Sequence, residues 1–243
     1  MAGGRDLSPI TLVLLPGLEG SGTLFANLLP ELPKEIKVIV AAYPQQQFLS
    51  YSQLVLWLKD VVPNDGAFVV LGESFGSELA VKFAATHPTN LAGIILCAGF
   101  VSNPVRNWGI LPRLLANPFL FRFQPPDFAL KYFVAGAHAP KSLLEAVRQA
   151  RRSVSATVFA KRAQATIHCN ARDDIQKVNV PLLYLQATDD HLVEKSSLEE
   201  IQRLHPQTIS VSIRAPHMLL QTEPRAAAEA ITNFLVAQGL YLT

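Results

Sequence analysis

Gly72-Glu73-Ser74-Phe75-Gly76 lies between the apolar run Ala67-Phe68-Val69-Val70-Leu71 and the helical pattern Ser77-Glu78-Leu79-Ala80-Val81-Lys82-Phe83-Ala84. A short continuous apolar run predicts a buried strand, and the amphipathic stretch behind it predicts a helix. A serine framed by glycines on such a hinge predicts a nucleophile held on a sharp, strained turn. Small neighbours leave its hydroxyl clear of the sheet, and the following helix aims its first amides at a reacting carbonyl. Five positions alone are a weak signal. The strand before them and the helix after them give the match its weight.

Outward from this hinge the same rhythm repeats. Ile10-Thr-Leu-Val-Leu-Leu, closed by Pro16-Gly17, predicts a buried parallel strand, as do Ile36 to Ala41 and Leu91 to Cys97. Helical patterns at Thr23 to Leu29, Tyr51 to Val61 and Ser77 to Ala85 separate them, with Ser50 or Ser52 as N-cap of the second and His87-Pro88 stopping the third. Strands alternating with helices predict an α/β fold with a mostly parallel, doubly wound sheet. From Ser102 to Ala165 the alternation stops, and six prolines punctuate short helical pieces. It resumes with a strand at Val180 to Gln186, a helix at Ser196 to Leu204, a strand at Thr208 to Ile213 and a helix at Pro224 to Val236. The expected organisation is a core built from residues 1–101 and 166–243, with residues 102–165 as a helical cap over the carboxyl ends of the strands.

The 243 residues are 49% apolar and 16% charged, enough for a buried core and against disorder. No apolar run reaches the ~18 residues of a membrane span. Asp6 and the Pro16-Gly17 turn argue against a signal-peptide core at Ile10 to Leu18. Cys97 and Cys169 follow no metal or redox spacing, so neither a metal nor a disulfide is expected and the default address is cytoplasmic. Charge is uneven. Residues 102–162 hold ten Lys and Arg against Asp127 and Glu145, a net +8, whereas the rest holds eleven against seventeen acids, a net −6. Such an asymmetry predicts a directed field at the cap.

A serine hydroxyl needs a base to take its proton and a carboxylate to orient that base. Among six histidines, His87 and His205 precede proline at helix ends, His138 and His168 lie in or beside the insertion, and His191 neighbours Asp190. His217 follows the last strand and precedes the last helix, the position expected of the base. The loop after the Leu182 strand offers two acids, Asp189 and Asp190, of which only one can meet the imidazole. Ala98-Gly-Phe-Val-Ser, after the Cys97 strand, carries none. The chain order is therefore serine, aspartate, histidine. Two amides should hold the oxyanion: Phe75 N–H, next to the nucleophile, and Leu18 N–H, in the Gly-rich turn after the first strand. No cofactor is called for.

These motifs resemble the α/β-hydrolase superfamily over residues 8 to 238: Leu15-Pro-Gly, Gly72-Glu-Ser-Phe-Gly, Asp190-His-Leu-Val, and His217 followed by Glu223-Pro224. The resemblance favours Asp190 over Asp189, because the family's acid loop runs aspartate, any residue, aliphatic, valine. Two features depart from it. Pro16-Gly17 replaces the usual His-Gly, and the stretch before Ile10 is too short for two leading strands. A reduced α/β-hydrolase fold of about six strands is the expectation. Ser74 at the elbow speaks against dehalogenases and epoxide hydrolases, which carry aspartate there.

The size and the compact, basic cap are similar to those of the pimeloyl-acyl-carrier-protein methyl ester esterases of biotin synthesis. The resemblance implies a carboxylesterase acting on a small ester, with a carrier-bound ester as the sharper expectation. Arg148, Arg151 and Arg152 would then meet the acidic acyl carrier protein. An acyl thioesterase or lipase of the same fold, a non-enzymatic ligand receptor, and a scaffold whose basic cap binds anionic lipid or nucleic acid are the competing readings. Nucleic acid is not expected, since no binding motif is present and the core is acidic.

Overall fold

The apolar runs become strands because both of their faces are covered. The computed structural model describes residues 10–241. Strands β1 (Thr11–Leu15), β2 (Lys37–Val40), β3 (Phe68–Glu73), β4 (Leu91–Cys97), β5 (Leu182–Ala187) and β6 (Ile209–Ile213) form one sheet in the order β2-β1-β3-β4-β5-β6. Every pairing is parallel. In β1, Val13 and Leu15 join a core with α1 (Tyr51–Val61) and α2 (Phe75–Ala84), while Leu12 and Leu14 join the core of the opposite face. Alternate residues thus feed two cores, which is why no polar alternation marks these strands.

The chain steps from β1 outward to β2 and then crosses back to β3. The reversal opens a crevice beyond the carboxyl ends of β1 and β3, the place where open α/β sheets bind ligands. The turn after β1 and the Ser74 hinge after β3 therefore face each other across it.

Between β4 and β5 run α3 (Leu111–Leu115), α4 (Asp127–Leu130), α5 (Lys141–Ser153), α6 (Ala156–Ile167) and α7 (Arg172–Ile175), with 3-10 turns and one π turn among them. The last turn of α6 runs past residue 165. After β5 come α8 (Ser196–Leu204), α9 (Leu219–Thr222) and α10 (Pro224–Ala237).

Two elements differ from expectation. The helix expected at 23–29 is a pair of 3-10 turns, Thr23–Asn27 and Leu29–Glu31, because Pro30 removes the amide that an α-helical ladder needs there. Helix α2 begins at Phe75 rather than Ser77, so its first amide directly follows the serine. Ser50 is the N-cap of α1 and forms a capping box with Gln53.

Candidate active site

Ser74 sits at φ 50°, in the left-handed region that a non-glycine residue occupies only under constraint. The constraint is visible around it. A Cβ on Gly72 would lie 2.3 Å from the Gly76 carbonyl oxygen, and one on Gly76 would lie 2.5 Å from that of Leu15. Both glycines are thus fixed by the contact of β3, α2 and β1, not by a need for flexibility. The Ser74 amide donates to the Cys97 carbonyl at 3.0 Å, and the Ser77 hydroxyl donates to the Ser74 carbonyl at 2.6 Å. The hinge is braced on both sides, with Ser74 half-exposed above it.

His217 reaches Ser74 from the loop after β6. Its Nε2 lies 3.0 Å from Ser74 Oγ, and its Nδ1 lies 2.8 Å from Asp190 Oδ2. The other Asp190 oxygen accepts from the Leu192 and Val193 amides at 2.7 and 2.9 Å. A carboxylate that only accepts requires Nδ1 to carry the proton, which leaves Nε2 free to take the one from Ser74. Both side chains are buried, His217 at 8% and Asp190 at 4% exposure. Burial alone would push the Asp190 carboxyl up, but the His217 charge, its hydrogen bond and the two amides prevail and hold it below its usual value. Burial likewise pulls the His217 imidazole down, and the Asp190 charge and hydrogen bond, with Glu73 behind, outweigh it and leave the imidazole raised.

Asp189 points elsewhere. Its side chain is exposed and lies 3.5 Å from the Arg214 guanidinium. Among the remaining histidines, His191 stacks on Tyr132 at 4.6 Å and His205 meets Thr208, while His138 is exposed.

The amides expected to hold an oxyanion both lack acceptors among the described residues. Phe75 opens α2, so its N–H has no partner in the helix ladder. Leu18 lies in a turn closed by Gly20 N–H to the Gly17 carbonyl at 3.1 Å, and a Cβ on Gly17 would stand 3.9 Å from Ser74 Cβ. The turn therefore lies against Ser74.

Arg162 of α6 holds the turn in place, a role that its charge count in the sequence did not disclose. It is 2% exposed and donates to the carbonyls of Leu18, Glu19 and Pro44 at 2.9, 3.0 and 2.9 Å. Its guanidinium also lies over the Tyr43 ring at 5.3 Å, and Tyr43 in turn donates to the Pro16 carbonyl at 3.0 Å. A side chain at Gly20 would collide with Arg162 at 2.2 Å. A buried cation satisfied by three carbonyls and a ring face is tolerable; removing it would leave those carbonyls unpaired. Glu73 was also missed. It lies beneath Ser74, buried and bonded by Gln221 Nε2 at 2.9 Å, and burial pushes its carboxyl up to about 7 against the pull of Gln221 and His217.

The segment 102–165 grips the site at three further points. The Val134 carbonyl accepts from the Met218 amide at 3.0 Å, Tyr132 stacks on His191, and Ala116 shares a cluster with Leu192. Arg148, Arg151 and Arg152 are dispersed. Arg151 is buried at 8% exposure, donates to the carbonyls of Val154 and Phe121, and lies 4.2 Å from the Phe159 ring centre, so it is no part of an exposed patch. Arg148 pairs with Asp127, and exposed Arg152 pairs with Glu145 at 3.1 Å.

The six-stranded parallel sheet, the strained serine hinge and the helices between β4 and β5 define an α/β-hydrolase fold. The family model for serine aminopeptidase, S33, matches residues 52–224, and the chain belongs to that hydrolase family. It is 26% identical over 239 residues to a biotin biosynthesis bifunctional protein, BioHC, of Cellvibrio japonicus, covering 95% of this chain but 43% of that protein. The chain thus spans less than half the length of that relative. MenH from S. aureus superposes with a TM-score of 0.79 at 16% identity, over 96% of this chain and 95% of MenH. A carboxylesterase structure from the thaumarchaeon Nitrososphaera gargenis superposes with a TM-score of 0.77 at 16% identity, over 96% and 92%. No helix among the described residues is long and apolar enough to cross a membrane.

Proposed function

We propose that the protein is a serine carboxylic-ester hydrolase. The observation that carries this reading is the unbroken relay from Ser74 Oγ through His217 to Asp190, at 3.0 and 2.8 Å. Ser74 Oγ attacks the ester carbonyl carbon as its proton passes to His217 Nε2, and Asp190 stabilises the imidazolium. The Phe75 and Leu18 amides hold the oxyanion of the tetrahedral intermediate. That intermediate collapses, the imidazolium returns the proton to the departing alkoxide, and the acyl group stays on Ser74. Water, deprotonated by the same imidazole, then attacks the acyl carbon, and the imidazolium returns that proton to Ser74 Oγ as the acid leaves. Residues 102–165 act as the cap that frames this chemistry, between core parts 1–101 and 166–243.

The finer proposal is that the ester is carried by an acidic acyl carrier protein, as in pimeloyl-carrier methyl ester. The relative named for biotin biosynthesis and the +8 of residues 102–162 support it. Exposed Lys141 and Lys161 on α5 and α6 make no ion pair among the described residues and could meet such a partner, whereas Arg152 pairs with Glu145 and Arg148 and Arg151 are engaged within the chain. A cytoplasmic address fits this substrate and the two buried free cysteines.

Steady turnover of a short-chain p-nitrophenyl ester tests the class, since a receptor would stop after one acyl transfer. Its kcat/KM should rise with pH through the ionisation of His217, which lies above the ordinary imidazole value and is coupled to that of Glu73, and then level off, because only neutral His217 accepts the Ser74 proton. Glu73→Gln removes a negative neighbour that favours the imidazolium, so the rising limb should move to lower pH. A limb that stays in place or moves upward contradicts the Glu73 coupling. A carrier-bound ester should lose kcat/KM steeply with added salt while the neutral ester does not. Equal salt responses would remove the carrier protein from the account.

A further inference from the structure

From Leu79 through Pro126 the chain contains no Asp or Glu, while Arg106, Arg113 and Arg122 fall within that stretch. Nine of the thirteen large apolar side chains that are exposed among the described residues lie between 110 and 132. Ile110 is 67% exposed, Leu114 60%, Phe119 59%, Phe123 62% and Phe128 75%. Soluble surfaces carry single apolar residues freely, but nine within 23 residues, with Phe119 and Phe123 packed on each other at 5.5 Å, mark a contact.

The strip is pinned from beneath. Gln164 donates to the Ala116 carbonyl at 2.8 Å, Phe121 packs edge-on to Phe159 at 4.8 Å, and Trp108 packs on Phe133 at 5.3 Å. The inward side chains are thus committed to the fold; of the outward ones Tyr132 stacks on His191 and Phe119 packs on Phe123, and the rest stand exposed. Arg113 and Arg122 are exposed and make no ion pair among the described residues. Asp127, at the edge, is already neutralised by Arg148.

We propose that this strip docks the enzyme on an anionic lipid surface. Its aliphatic and phenyl groups would enter the boundary between headgroups and acyl chains, and Arg113 and Arg122 would meet the phosphates, whereas Arg106 is held by Glu200 and Ser196. Charge selects this occupant. A surface free of unpaired carboxylates suits anionic headgroups, whereas a second copy would set Arg113 and Arg122 against their own kind across a two-fold contact. The backbone is interrupted by Pro112, Pro118, Pro125 and Pro126 and offers few directional hydrogen bonds besides the guanidinium groups. A fluid surface needs no fixed pattern of donors, and a specific protein partner does. Contact would be peripheral, since no helix among the described residues spans a bilayer.

Docking here also bears on the substrate. Val105 and Ala116 share a cluster with Leu192, two residues from Asp190, and the strip rests on α6, which holds the Leu18 turn. Docking would therefore set the lipid beside the segment that packs on the acid loop, and the matching substrate class, in place of a carrier-bound ester, is an ester with a long acyl chain drawn from the bilayer. This last clause rests on the ester-hydrolase reading; the docking itself does not.

Co-sedimentation with phosphatidylcholine vesicles, with and without phosphatidylglycerol, tests it. The intact protein should bind the anionic vesicles and lose binding as salt rises. The Arg113→Gln, Arg122→Gln double variant should bind about tenfold more weakly, and Phe119→Ser with Phe123→Ser should lose about tenfold or more. All should keep full turnover of a short-chain p-nitrophenyl ester, which also reports that they are folded. Absence of sedimentation, equal binding to neutral vesicles, or variants that bind like the parent would overturn the proposal. So would binding of an acidic carrier protein through these same residues with no vesicle binding. If vesicles are bound but no ester is turned over, docking stands and the ester reading falls; ester turnover without vesicle binding means the reverse.

Discussion

Ser74→Ala is expected to lower kcat/KM for a p-nitrophenyl ester by about 10⁴-fold or more, with the residual rate coming from substrate binding and the oxyanion amides. The size of the loss follows from the geometry. Ser74 Oγ is the one hydroxyl in contact with His217 Nε2 among the described residues, so no neighbouring group inherits the proton relay. Ser77, three residues on, is fully buried and spends its hydroxyl on the Ser74 carbonyl. The variant should fold, because the strained φ of 50° is imposed by the packing of Gly72 and Gly76, not by the hydroxyl. An unchanged thermal midpoint beside lost turnover would separate chemistry from stability. Retention of a tenth of the parent rate would rule Ser74 out as nucleophile.

Asp190→Asn should cost about 10³–10⁴-fold, and Asp189→Asn no more than a few-fold. An asparagine at 190 can present its NH₂ to Nδ1, which forces the opposite imidazole tautomer and leaves Nε2 protonated against the Ser74 hydroxyl. The carboxylate also stabilises the imidazolium that forms in the transition state, and a neutral amide does not. Asp189 makes only an exposed contact with Arg214, the kind of pair worth little in water. Should the two variants rank the other way, the relay drawn through Asp190 is wrong.

Much of this was legible in the sequence because burial on both faces writes continuous apolar runs, and because glycines at a strand-helix hinge have one main use. The strands at Thr11, Phe68, Leu91 and Leu182 and the helix at Tyr51 were read from those signals. The residues of the acid loop by themselves left two aspartates open, since adjacent residues differ only in direction, and it was the resemblance to the family's acid loop that favoured Asp190. Arg162 was counted as one more cap charge. Nothing local distinguishes an arginine on a helix surface from one whose partners, Leu18 and Pro44, lie 144 and 118 residues away. Arg151 was expected at a surface and is buried for the same reason. Glu73 was hidden inside the serine motif, where its position reads as any residue, although a carboxylate at the end of a buried strand is itself a signal. The exposed apolar strip escaped notice because prolines and short turns erase the periodicity by which amphipathic elements are found.

Covalent labelling with a fluorophosphonate, followed by peptide mapping, addresses the central claim most directly. One adduct per chain is expected, on the peptide carrying Ser74, formed at a rate that rises with pH as His217 loses its proton and absent from Ser74→Ala. An adduct on another residue, or none on a protein that turns over esters, would contradict the account.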